Sequence, residues 1–421
     1  MDLLADFEAR GLIHETTDRD ALSKRLAEGP IGVYVGFDPT ADSLHVGHLM
    51  GQIALRRVQL AGHRPYPLAG GATGMVGDPG GRSEERNLLD AQTLAHNVSR
   101  IKGQLERILD FEPGPYQAKL VDNATWTAPV SMLDFLRDVG KHVTVNQMLA
   151  KDSVRSRIES EHGISYTEFS YMLLQGNDFR HLCQHENVEW QMGGSDQWGN
   201  ITLGIDLVRR ALGRPAYGLV WPLLTKADGS KMGKSVGGAV WLDPAKTSPY
   251  QFHQYWLQTD DDTIATWLKR LTLLPLDDIA GVMADHSADP GKRVAQRRLA
   301  DELTTMVHGA AATDAAKATA AVLFEGDPTS ASAAVLADVA REAPCTELPA
   351  SALDEGVVAL LVRTGLASSN GDARRGLGQG VFRLNGVVLT PASVVNRTNL
   401  LHSRFLLLRK GRKTNHLVVV S

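Results

Sequence analysis

Two histidines three residues apart, His45 and His48, close the run Asp38-Pro-Thr-Ala-Asp-Ser-Leu-His-Val-Gly-His. At the start of a helix both rings share one face, where free amides and the macrodipole attract phosphate. Two imidazoles there add directed donors for charge that grows on a phosphoryl group in a transition state. A zinc pair or two ordinary surface histidines are the competing readings; zinc needs further ligands at suitable spacing and none is evident. Two lysines, Lys231 and Lys234, stand in the glycine-flanked loop Thr225-Lys-Ala-Asp-Gly-Ser-Lys-Met-Gly-Lys-Ser, able to close over a triphosphate. A P-loop is excluded, because Gly229-x-x-x-Gly233-Lys234-Ser235 is one residue short and VGGAVWLD cannot supply the helix that must follow.

Tyr171, Gln175 and Asp178 lie at i, i+4 and i+7, on one side of a helix whose other turns are apolar. Such a stripe faces solvent, or it lines a pocket for a zwitterionic amino acid with a polar tip. Gly193-Gly-Ser-Asp-Gln-Trp-Gly-Asn200 offers glycines for close approach and Asp196 either for ribose hydroxyls or as a helix cap. The glycine-rich GGATG at 70–74 is the weakest of these signals.

Strand patterns position these residues. Residues 31–37 read as a buried strand followed by a turn and a helical pattern over 46–61, closed by Gly62. Further apolar runs at 66–69, 119–122, 188–192 and 219–224 alternate with helical segments, which predicts an α/β fold with a parallel, doubly wound sheet. The chemistry-bearing residues follow the strand ends, where such a sheet places its ligand. From 248 to 324 the pattern is helical only. Residues 326–350 read as a linker, and beyond it come two short helices and a hairpin built on Asn385-Gly386. Two more strands joined by a basic turn end the chain.

With 421 residues, two or three domains are expected. No run approaches the ~20 apolar residues of a membrane span, and the N-terminus lacks the pattern of a secretory signal. Cys183 and Cys345 fit neither a disulfide framework nor a metal site, so the cytosol is the expected compartment. The net charge is −4, yet residues 352–421 hold ten Lys and Arg against three Asp and Glu, a net of +7 that leaves −11 elsewhere. A basic appendage of this kind meets phosphate or is simply a solvated surface. Its candidate RNA contacts are Arg374, Arg375, Arg404, Arg409, Lys410, Arg412 and Lys413.

The segments YVGFDPTADSLHVGH, GGATGMVGDP, FLRDVGKHVTVN, SYTEFSYMLLQ, GGSDQWGNI and KMGKS, in this order, resemble the class I aminoacyl-tRNA synthetases, and more narrowly the bacterial-type tyrosyl enzymes. The resemblance implies ligation of tyrosine to its tRNA through tyrosyl-adenylate. It also implies a Rossmann-like catalytic domain at 1–236 with a dimer-forming insertion near 125–165, and a helical anticodon-binding domain at 237–325. After the linker, 351–421 would be a small α+β RNA-binding domain like that of a ribosomal small-subunit protein. Tyr34 and Asp178 would bind the phenolic hydroxyl, and Asp78, Tyr171 and Gln175 the ammonium group. Gly36, Asp38, Thr40, His45, His48, Gly194 and Asp196 would serve ATP, with Lys231 and Lys234 on the departing pyrophosphate. The implied partners are tyrosine, its tRNA, ATP with Mg2+ and a second copy of the chain. Departures are small: Val46 replaces isoleucine, Gly233 stands where serine is common, and Val35 replaces a thiol seen in some relatives. A tryptophanyl enzyme has no use for the Tyr34–Asp178 pair, and a non-catalytic descendant would be expected to lose His45, His48 or a loop lysine.

Overall fold

The computed structural model describes residues 2–78, 89–159, 163–224, 234–235, 238–325, 328–411 and 414–421. Six strands form one sheet: β1 (Glu15–Thr16), β2 (Gly32–Phe37), β3 (Arg64–Ala69), β4 (Val121–Asp122), β5 (Val188–Gly194) and β6 (Tyr217–Trp221). Their order is β1-β6-β5-β2-β3-β4, with β2 to β6 parallel and β1 antiparallel on the edge of β6. The doubly wound expectation holds; the two-residue β1 lacks any pattern of its own and was not foreseen. Helices cover both faces of the sheet, so β2 is buried at every residue except Gly36 and reads as an unbroken apolar run. The chain winds outward from β2 through β3 to β4, then returns to β5 on the other side of β2. That reversal opens a crevice between the carboxyl ends of β2 and β5.

Three helices frame the crevice. Leu49–Leu60 follows β2, with ten of its twelve residues buried. Tyr166–Glu186 starts at Ser165, whose hydroxyl accepts from the Glu168 amide, and ends on Asn187 in the left-handed region. Trp198–Leu212 leaves β5 through a 3-10 turn at Ser195–Gln197 and stops at Gly213. Asp196 lies inside that turn and caps no helix, so the capping alternative for it is overturned. A two-stranded ribbon, β7 (Lys234–Ser235) with β8 (Gly238–Ala239), precedes residues 240–242. These pair with the histidine loop through Val46 N–H to Val240 O and Leu242 N–H to Leu44 O.

The chain forms two compact units, residues 1–248 with 255–307, and residues 249–254 with 308–421. The helical stretch expected to form one domain is thus divided between them. In the second unit the stretch expected as a linker is built into the fold. Helix Ala333–Glu342 packs Val335, Leu336 and Val339 against Val322, Leu323, Phe405 and Leu417. Strand β9 (Cys345–Leu348) then joins a sheet with β10 (Phe382–Leu384), β11 (Val387–Val388), β12 (Phe405–Lys410) and β13 (Thr414–Val420), in the order β11-β10-β12-β13-β9. The Pro, Ser and acidic residues of 326–350 fall in turns and on solvent faces, which masked the apolar stripe between them. Asn385 and Gly386 both take positive φ, the turn expected of this pair. No helix among the described residues is long and apolar enough to cross a membrane.

Candidate active site

The crevice is a cavity of about 330 Å³. Its lining includes Tyr34, Gly36, Asp38, His48, Asp78, Tyr171, Gln175, Asp178, Gly194 and Asp196, gathered from four separate stretches of sequence. Thr40 and His45 are not in the wall. Thr40 is exposed in the turn after β2, and His45 stands behind His48 with ring centroids 4.0 Å apart.

At the floor, Tyr34 on β2 and Asp178 on the helix Tyr166–Glu186 are both almost fully buried. Asp178 accepts from Asn123 Nδ2 and Trp126 Nε1, each at 2.9 Å. Burial nevertheless outweighs these donors and pushes its carboxyl up to about 7, with the nearby Asp38 and Asp122 charges adding to the rise. The Tyr34 hydroxyl is raised well above its ordinary value by burial and by Asp178, and it has no hydrogen-bond partner among the described residues. A buried hydroxyl without a partner costs roughly 1–3 kcal/mol, so one facing a cavity marks a place for a ligand atom.

Asn123, fully buried, ties the floor to the wall. Its Nδ2 also donates to Thr73 Oγ1 at 3.0 Å, and Thr73 donates to Asp38 Oδ1 at 3.1 Å. The other Asp38 oxygen accepts from the Tyr171 hydroxyl at 3.1 Å. The glycine-rich GGATG makes this cluster possible, since a Cβ on Gly70 would stand 2.3 Å from Asp38 Oδ1. Higher in the cavity, Asp78 Oδ2 accepts from Gln197 Nε2 at 2.6 Å. Gln197 Oε1 in turn accepts from Gln175 Nε2 at 3.1 Å, and Asn200 donates to Gln175 Oε1 at 3.0 Å. Acidic and amide oxygens thus collect near the mouth, a setting for a cation.

Asn123, Trp126, Thr73, Gln197 and Asn200 were missed in the sequence. Gln197 and Asn200 lie in a motif already singled out, spaced i and i+3. Asn123 directly follows β4, so the rule that ligands gather after strand ends points to it.

The histidine turn differs from expectation in one respect. His45 Nδ1 accepts from the Gly47 amide and His48 Nδ1 from the His45 amide, both at 3.1 Å. The imidazoles therefore consume amides that were expected to be free for phosphate. With Nδ1 an acceptor in both rings, the proton sits on Nε2, and each ring offers an N–H donor there. The Trp241 indole lies edge-on to His45, and Lys246 over that indole pairs with Asp42 at 2.7 Å. Lys231 lies outside the described residues, and Lys234 is described in its backbone alone, paired with Ala239.

In the second unit Arg374, Arg375 and Arg404 are exposed. Arg409 donates to Phe324 O at 3.0 Å and Lys410 to Leu366 O at 2.9 Å, so both carry structural bonds. Arg412 and Lys413 lie outside the described residues.

The model of the class I tRNA synthetases for tryptophan and tyrosine matches residues 26–325, and that of the tyrosine–tRNA ligase C-terminal domain matches residues 336–418. The chain is 52% identical to the tyrosine–tRNA ligase of Opitutus terrae, over the whole of both chains. Among solved structures it is similar to C-terminally truncated mitochondrial tyrosyl-tRNA synthetases. That of Aspergillus nidulans is 32% identical with a TM-score of 0.70, over 77% of this chain and 94% of that one. That of Coccidioides posadasii is 34% identical with a TM-score of 0.67, over 75% and 91%. The chain belongs to the class I aminoacyl-tRNA synthetases, in the tyrosine–tRNA ligase family, whose members form tyrosyl-adenylate with ATP and then load the amino acid onto tRNA.

Proposed function

We propose that the cavity between β2 and β5 is the adenylation site, with the phenol of tyrosine between Tyr34 and Asp178. The Tyr34 hydroxyl, which has no hydrogen-bond partner among the described residues and lies beside a buried carboxylate, carries this reading. A phenol supplies both needs at once, accepting from Tyr34 and donating to Asp178. Tryptophan, with a lone N–H donor, would leave Tyr34 unpaired. Asp78, Tyr171 and Gln175 hold the ammonium group near the mouth, together with Gln197.

Tyrosine's carboxylate is itself the nucleophile, so no general base is required. It attacks the α-phosphorus of ATP, bound as its magnesium complex, and the bond to the leaving pyrophosphate breaks. The protein's part is alignment and stabilisation of the charge that moves onto pyrophosphate. His45 and His48, as Nε2–H donors, serve that charge with Thr40, Lys231 and Lys234. Gly36 leaves its place open to a flat ring, since a Cβ there would touch nothing within 4 Å. Gly36, Asp38, Gly194 and Asp196 flank the nucleoside. In the second step a terminal ribose hydroxyl of tRNA attacks the adenylate's carbonyl carbon and AMP departs.

We assign residues 237–325 to the anticodon arm and the basic C-terminal region to RNA contact. The protein acts in the cytosol as a homodimer, joined through the insertion near 125–165. There Met132, Leu133 and Val145 expose 68%, 78% and 60% of their surface, an apolar set too concentrated for a solvent face. ATP–pyrophosphate exchange measured across the twenty amino acids tests the reading: exchange with tyrosine alone is expected, and exchange with tryptophan or none at all refutes it.

A further inference from the structure

The helix Leu49–Leu60 begins directly after His48, and its far end carries a buried charge that the chemistry above does not use. Arg57 is 6% exposed and donates from Nη1 to Asp6 Oδ2 at 3.1 Å and from Nη2 to the Thr272 carbonyl. Arg10, 5% exposed, donates from Nε to Asp6 Oδ1 at 2.8 Å. Its two terminal nitrogens donate to Lys269 O at 3.1 Å and Leu274 O at 2.9 Å. One carboxylate thus holds two guanidinium groups, which together grip three carbonyls at the end of the helix Asp261–Leu271.

Two cations on one anion leave an excess positive charge, and the carbonyl end of a helix is where such a charge is best tolerated. Burial and the Arg10 charge push the Arg57 guanidinium down to about 10, against the pull of Asp6. Apolar side chains would fill the same space at no greater cost, but they allow sliding, whereas forked donors on fixed acceptors do not. From His48 to Arg57 is nine residues, about 13 Å along a rigid helix. An axial shift at one end is therefore a shift at the other.

We propose that Asp6 is a positioning residue for His48, seating the helix Leu49–Leu60 through Arg57 against the end of the helix Asp261–Leu271. This rests on the reading of His48 as a donor to the reacting phosphates. A misplacement of about 1 Å costs up to ~10²-fold in rate, so a loss of about tenfold or more is expected here.

The test is a double-mutant cycle on the full chain, read as ATP–pyrophosphate exchange. Asp6→Asn keeps the shape but turns an amide toward a guanidinium. It should lower kcat at least about tenfold while the KM for tyrosine stays unchanged, because the tyrosine pocket stands on other elements. In a His48→Ala background Asp6→Asn should cost nothing more. Arg57→Lys, which keeps the charge and loses the fork, should behave as Asp6→Asn does and serves if that variant does not fold. Unchanged exchange, a rise of the tyrosine KM in step with the loss of kcat, or losses that multiply with those of His48→Ala would each overturn the proposal. Normal exchange in His48→Ala alone would instead sink the His48 reading, and this inference with it.

Discussion

Tyrosine binding should depend on pH through Asp178. With its carboxyl near 7 in the free protein, the group is mostly protonated at pH 5 and mostly ionised at pH 8. Both of its oxygens already accept from Asn123 and Trp126, so a carboxyl proton would meet one of those donors, and the ionised form is the one able to accept from the substrate phenol. Two units below 7, about 1% is ionised, which weakens tyrosine about 100-fold, or roughly 3 kcal/mol at 1.36 kcal/mol per unit. Equilibrium dialysis between pH 5 and 8 should therefore show Kd falling about tenfold per unit up to 7 and then levelling. Asp178→Asn should bind weakly and without that slope. Stability carries the opposite trend. A carboxyl whose pKa is raised on folding stabilises the fold least when ionised, so the cost grows as pH rises from about 4 to 7. A rise of about three units is worth roughly 4 kcal/mol at pH 8. Asp178→Asn escapes that cost, so its stability relative to the unaltered protein should rise with pH across this window, and tyrosine should protect only the unaltered protein at pH 8. A Kd that stays constant from pH 5 to 8 would refute the reasoning.

Other expectations follow from the same geometry. His45→Ala or His48→Ala should slow pyrophosphate exchange by about 10²–10³ with tyrosine affinity kept, and unchanged exchange in both would remove them from the chemistry. Tyr34→Phe deletes a buried hydroxyl that has no hydrogen-bond partner among the described residues, so thermal denaturation of the free protein should show no loss of stability while preference for tyrosine over phenylalanine declines. A chain ending at Phe324 should retain exchange and charge tRNA poorly. It should also be less soluble, because it bares Val322 and Leu323, and retained charging would exclude the basic region from RNA contact. Neutralising Arg374, Arg375 and Arg404 should lower the slope of tRNA affinity against salt by about one for each phosphate that the protein no longer neutralises, and an unchanged slope would place the RNA elsewhere on the surface.

Period and spacing alone placed the parallel strands, the paired stripe Tyr171–Gln175–Asp178 and the hairpin at Asn385-Gly386. Each rests on a local rule, such as alternation, helical repeat or a turn's demand for positive φ. The histidine turn was legible for the same reason, being a short stretch set by neighbours in sequence, whereas Lys231 of the lysine motif lies outside the described residues. Tertiary structure decided what depends on distance between remote residues. The place of Asn123 after a strand end marks it for the site, but neither it nor Trp126 announces Asp178 as its partner, because the bond joins a strand end to a helix about fifty residues later. The raised carboxyl of Asp178 is likewise a property of burial, which composition does not encode. The stretch 326–350 misled because its apolar stripe is short and interrupted, and only packing against strands seventy to ninety residues onward gives that stripe a core to join. Asp6, in an unremarkable amphipathic start, becomes a junction for two arginines solely because folding brings three helices to one point.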